Sequence, residues 1–261
     1  MQPHRALRLL GACVLVVAQQ FASASLASAD SPCVNGLPID HTYANGHWHT
    51  GGYQDHGTPI QGVRANIRTY NPFAADTPSP YTGGVSAWVM LENGTAWAQV
   101  GWLKAPFTSD KFNPLWFWQY TASDGGVLET NWQAGAKFPP TVYTYEVVYI
   151  QTAPGEGFFQ FIAGDTQLTT SSTLFWTPLN HDASTEVFNF TGDQLPGDTT
   201  AHTTFNSVGW WDGATWFGST FGTPPGTYLV GHSTNGAPSR TWDALSFTDG
   251  SNFETWDSRC P

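Results

Sequence analysis

Beyond residue 62 the chain alternates apolar and polar positions in short runs, and Gly or Pro ends each run before a helical period can build. Side chains along a strand point to opposite faces in turn, so these runs predict strands. Strands are expected over Val63–Tyr70, Val85–Leu91, Thr95–Leu103, Leu115–Thr121, Val142–Ile150, Gly157–Ala163, Ser172–Thr177, Glu186–Phe190, Thr203–Val208, Thr227–His232 and Ala244–Thr248. The connectors Glu92-Asn93-Gly94, Ala153-Pro154-Gly155-Glu156-Gly157 and Asp212-Gly213 carry turn chemistry. About a dozen short strands with no helix between them predict one all-β domain, an antiparallel sandwich or barrel. Residues 30–62 are rich in Gly and His and are expected as a surface loop.

The first residues change the picture from a domain to an exported domain. His4, Arg5 and Arg8 precede the apolar run Leu9–Ala18, and Ala27-Ser28-Ala29 forms a small-residue cleavage signal. The run is too short to span a bilayer, so residues 1–29 are expected to be a signal peptide removed on secretion. No later stretch is apolar for long enough to cross a membrane. Cys13 leaves with that segment, and Cys33 and Cys260 remain. In an exported chain such a pair suggests a disulfide between the two ends of the domain, with two unpaired thiols as the alternative. No metal-type cysteine spacing occurs.

Charge then narrows the partners. The net charge is −11, and losing Arg5 and Arg8 makes the mature chain more acidic still. No basic face remains to neutralise phosphates, which excludes nucleic acid as the expected partner. Charged residues are 11% of the chain against 15% aromatics, with 13 Trp. So few carboxylates need ionising for folding that tolerance of acid is expected. So many aromatics exceed what a core requires, and some are expected to line a groove.

The segment Val85–Pro106 holds the first candidate chemistry. Gln99 lies inside an apolar strand, and alternation turns Trp97, Gln99 and Gly101 to one face and Ala98, Val100 and Trp102 to the other. An amide beside a glycine and a tryptophan fits the floor of a concave site; a glutamine satisfied by backbone or solvent fits the same residues. Glu186 opens the next candidate strand, either as a solvated strand end or as a carboxyl in an aromatic cleft suited to acid–base work. His41, His47, His49 and His56 are read as solvated loop histidines in preference to a metal site, so no metal and no cofactor are expected. No nucleophile-elbow motif supports a serine hydrolase. Asn93-Gly94-Thr95 and Asn189-Phe190-Thr191 match the short glycosylation pattern.

The order of these segments resembles the neprosin family of secreted β-sandwich prolyl endopeptidases. Gly62–Pro72 is similar to the family's GAxAxIxxWxP strand, and Gln99-Val-Gly-Trp102 with Pro106 to its EAGWQVxP. Phe117–Asp124 is similar to FxYWTxD and Glu156–Phe161 to EGxWWxxF; Ala201-His-Thr203 and Asp249-Gly-Ser-Asn252 match later landmarks. The likeness spans roughly residues 62–260. It implies a concanavalin- or jelly-roll-like sandwich over residues 62–261, preceded by an N-terminal loop or reduced pro-segment at 30–61.

The family's two glutamates fall on Gln99 and, with a one-residue gap, on Glu186; Asp193 is a rival for the second. Glutamine in the first place resembles the eqolisins, acid endopeptidases with a Gln/Glu pair, whose ILQxG and AEW segments are similar to Ala98–Gly101 and Thr185–Val187. The resemblance implies a secreted, acid-active glutamic endopeptidase, a monomer acting on peptides with a preference for proline. Glu186 would activate water, Gln99 would stabilise the oxyanion, and Trp97, Trp102 and Trp118 would bind substrate. A non-catalytic sandwich that binds carbohydrate or protein is the alternative.

Overall fold

A computed structural model describes residues 48–72, 74, 83–136, 141–188, 193–221, 227–233 and 243–257. The expected signal peptide, Cys33, Cys260, His41 and His47 lie outside these residues. Numbered in chain order, one sheet contains β1 (Trp48–Asp55), β3 (Val85–Asn93), β4 (Ala96–Lys104), β5 (Leu115–Thr121), β6 (Val127–Gln133), β10 (Asn180–Val187) and β13 (Thr227–Ser233). The other contains β2 (Gly62–Arg68), β7 (Val142–Ala153), β8 (Glu156–Ala163), β9 (Thr166–Thr170), β11 (Thr203–Trp211), β12 (Trp216–Gly218), β14 (Asp243–Asp249) and β15 (Asn252–Asp257). The first sheet runs β13-β1-β10-β3-β4-β5-β6, the second β14-β15-β11-β2-β7-β8-β9, with β12 beside β11. Among the described residues every strand pairing is antiparallel, so the molecule is the expected all-β sandwich.

Period-two patterning explains how the layers meet. On β8, Phe159, Phe161 and Ala163 point inward between partly exposed neighbours. They join Val63, Ala65 and Ile67 of β2, Tyr145, Val147 and Tyr149 of β7, and Ala87, Val89, Leu91, Ala98, Val100 and Trp102 of the facing sheet. Glycines turn the hairpins: Gly94 (φ 62) follows β3, and Pro154-Gly155 (φ 75 at Gly155) joins β7 to β8 as a type II turn would.

Three expectations are corrected. The segment read as a surface loop contains β1, an interior strand between β13 and β10. Its glycines serve close packing: a Cβ on Gly51 would stand 2.1 Å from the Ala183 carbonyl, and one on Gly52 2.4 Å from the Phe221 ring. The sandwich therefore begins before residue 62, with residues 48–55 built into its sheet. The strand expected from Glu186 is the end of a longer one, β10, that starts at Asn180. Finally, residues 172–177 make a single bridge at Leu174 and otherwise run irregularly, with Leu174 and Trp176 plugged into the core.

Candidate active site

The outer face of the seven-stranded sheet carries the chemistry. On β10, Thr185 faces the other sheet, its hydroxyl reaching Thr255, while Asp182, Ser184 and Glu186 alternate onto the outer face. The β1-β10-β3-β4-β5 register sets rows across that face. One runs His49, Glu186, Ser86 and Leu103; the next Gly51, Ser184, Trp88, Gly101 and Phe117; the third Tyr53, Asp182, Met90, Gln99 and Gln119.

Glu186 is 4% exposed, and three donors converge on its carboxylate. His49 Nε2 lies 3.1 Å from Oε1; Ser86 donates its hydroxyl to Oε2 at 3.1 Å and Trp88 its indole N–H at 2.9 Å. Burial alone would make His49 harder to charge. The charge and hydrogen bond of Glu186, with Asp182 and Glu92 further off, outweigh it, and the His49 pKa is raised from 6.5. The His49 ring also stands edge-on to Trp88, centroids 5.4 Å apart. His49 is thus no solvated loop histidine.

In the third row Gln99 is buried and its amide N–H donates to the Gln119 carbonyl at 3.0 Å, a cross-strand amide pair. Asp182 accepts from Ser184 Oγ at 2.5 Å. Burial pushes Asp182 up to about 7, with Glu92 and Glu186 adding and Ser184 and His49 opposing. Glu92 is likewise raised by burial, and Tyr53 is raised by burial and by Glu92 and Asp55.

Gln99 and Glu186 share the face but not a row. They stand two strands and four residues apart, about 10 Å across and about 13 Å along the sheet at Cα. Neither is a hydrogen-bond partner of the other. Asp193, the rival acid, is fully buried and accepts from the backbone N–H of Gly84 at 2.8 Å, so it serves the chain's own backbone.

The aromatic floor differs from expectation. Trp97 packs against the outer cluster of Trp88, Met90, Leu103, Ala105 and Phe117. Trp102 and Trp118 belong to the core between the sheets, and the Trp118 indole donates to Glu129 at 2.9 Å. Both are corrected as substrate contacts: even-numbered positions of β4 face inward, so Trp102 points away from Gln99. Trp88, Ser86 and Asp182 are the outer-face residues that sequence reasoning missed. Alternation along β3 places Ser86 and Trp88 on one face, but nothing local marks that face as Glu186's.

A separate opening of about 530 Å³, lined by Gln61 and Tyr149–Pro154, lies on the other sheet. It has no carboxyl or imidazole. Among the described residues no group of His, Cys, Asp and Glu could hold a metal ion, and no helix is long and apolar enough to cross a membrane.

No protein-family model matches the chain, and no curated protein matches it in sequence. Solved structures do. Scytalido-glutamic peptidase with a transition state analog inhibitor is similar at a TM-score of 0.50 and 10% identity, over 81% of this chain and 98% of that one. The same peptidase with a peptide based transition state analog gives 0.49 and 10% over 80% and 98%. SCP-B, a member of the eqolisin family of peptidases in a complex with the tripeptide Ala-Ile-His, gives 0.43 and 12% over 80% and 98%. At such identities the likeness is one of architecture: this chain has the β-sandwich fold of the glutamic peptidases.

Proposed function

We propose that this protein is a secreted glutamic-type endopeptidase working at acid pH on the outer face of its seven-stranded sheet. The observation that carries the reading is Glu186, a carboxylate on that face held by His49, Ser86 and Trp88. In this reading Glu186 takes a proton from a water as that water attacks the scissile carbonyl. Gln99 stands across the face, about 16 Å away at Cα. In this reading both side chains turn toward a substrate between them, and the second N–H of the Gln99 amide donates to the developing oxyanion. Gln119 orients that amide through their hydrogen bond.

The fold likeness supports a peptide as substrate, and the signal-like residues 1–29 support export. The neprosin resemblance, with the partly exposed Trp97 on that face, supports a preference for proline. The test is hydrolysis of a proline-rich unfolded protein from about pH 2 to about pH 7. Gln99→Ala is expected to lower kcat about 100- to 1,000-fold, as loss of one oxyanion donor does elsewhere. Glu186→Gln is expected to remove turnover altogether. Cleavage that survives both substitutions sinks the assignment.

A second reading, binding or cleavage of carbohydrate on the same face, draws on two observations. Aromatic rings floor the face, and Asp182 and Glu186 are two carboxyls on one side of β10, as a glycosidase requires. Hydrolysis or binding of a panel of polysaccharides without any peptide cleavage would select it.

A further inference from the structure

Asp182 is almost as enclosed as Glu186, and its geometry relates it to both proposed catalytic groups. The Ser184 hydroxyl donates to Oδ1, which ties the Asp182 carboxyl to the outer-face residue that stands between it and Glu186 on β10. The register sets Asp182 and Gln99 on either side of Met90 in one row. Glu186, Asp182 and Gln99 are therefore three corners around the buried Trp88, whose own row otherwise holds Gly51, Ser184, Gly101 and Phe117. A chain lying across that row would meet a carboxylate on one side, a second carboxyl along the same strand, and an amide opposite.

We propose that Asp182 is the general acid of this site, giving its proton to the leaving nitrogen while Glu186 takes one from the attacking water. The inference rests on the peptidase reading above. The water oxygen bonds to the carbonyl carbon, its proton goes to Glu186, the C–N bond breaks, and the Asp182 proton goes to the nitrogen. The products are a carboxylic acid and an amine. Glu186 is left protonated and Asp182 ionised, and exchange with solvent resets both.

The surroundings suit that division of roles. Asp182 faces Ser184 and Glu186 on β10, Glu92 and Met90 on β3, Tyr53 and His49 on β1, and Gln99 on β4; Tyr228 of β13 stands at the register position beyond Tyr53. Burial, Glu92 and Glu186 keep its proton on up to about pH 7, against Ser184 and His49. Glu186 has the opposite company, three donors, of which His49 has a raised pKa. Environments that separate two carboxyls in this way assign acid and base.

The experiment compares wild type, Asp182→Asn and Asp182→Glu on a peptide and on an activated aryl ester of the same acyl group. A phenolate leaves without a proton, whereas an amine does not. Asp182→Asn is expected to lose about 100-fold or more in kcat/KM on the peptide but less than about tenfold on the ester. It should also lose the fall in peptide activity as pH rises through about 7, and Asp182→Glu should restore part of the peptide rate. Equal losses on the two substrates, or an unchanged alkaline limb, would overturn the assignment while leaving Glu186 in place. Should Asp182→Asn fail to fold by thermal melting, the alkaline limb of Asp182→Glu must move for the assignment to stand. A wild type that cleaves no peptide removes the peptidase reading and this inference with it.

Discussion

His49 and His56 stand at the two ends of β1, and each meets a side chain of β10, yet their chemistry runs in opposite directions. His49 meets the Glu186 carboxylate; His56 Nε2 meets His181 Nδ1 at 2.8 Å, and His181 Nε2 continues to Ser219 Oγ at 2.7 Å. Burial disfavours the charged form at both. At His49 the carboxylate overrules it and the pKa rises. At His56 burial prevails over Asp55 and the pKa falls to about 4, while His181, fully buried beside another imidazole, falls well below 6.5. The partner, not the burial, decides the sign.

The pH consequences are opposite too. A raised pKa means the His49 contribution to stability is complete below about 6.5 and is lost as pH rises through the folded value. A lowered one means the His56 contribution is complete above about 6.5 and is lost as pH falls toward about 4. An enzyme working in acid would keep its active-site pair and surrender stability at the far end of the same strand. Composition alone led to the simpler expectation of acid tolerance.

The comparison breaks most completely at Glu186. In Glu186→Gln, burial no longer meets the carboxylate's opposition, so His49 should titrate below 6.5, read from its ring resonances by NMR. A value still above 6.5 would mean that Asp182 and Glu92 hold the charge. Gly51→Ala should disturb both sites at once, because its Cβ would strike the Ala183 carbonyl and Ser184 Oγ and push β1 off β10. A loss of about 1–3 kcal/mol is expected, measured by denaturant unfolding, with both imidazoles moving toward 6.5. The smallest effect belongs to His56→Gln. It should leave activity near pH 7 unchanged and reduce the fall in Tm between about pH 6.5 and about 4. An undiminished fall would place the acid-sensitive step elsewhere.

The strands nearest the site differ in how far they could be read. On β3 and β4 a buried apolar face alternates with a mixed one, so the pattern alone puts Gln99 on the same side as Trp97. The same alternation already set Trp102 against the groove, and a general excess of aromatics was the weaker guide. β10 hid because Asn-His-Asp-Ala-Ser-Thr-Glu carries polar residues on both faces; they are buried by meeting one another across strands, which no one-dimensional pattern records. β1 hid for a different reason. Its Gly-Gly pair looks like slack, and only the flanking Ser184 and Phe221 show that it is a fit. The pairing of His49 with Glu186 spans 137 residues and leaves no trace in local spacing.

That span has a consequence in time. β1 emerges from the ribosome among the first strands of the sandwich, but its neighbours β10 and β13 are synthesised far later. Loop-closure entropy makes so distant a pairing a slow, late step, and an unpaired β1 leaves both flanking edges open meanwhile. The Glu186 constellation is then complete only when β1 and β10 have found each other. A nascent or half-translocated chain lacks its proposed His49–Glu186 pair, and a truncation past His49 removes it again.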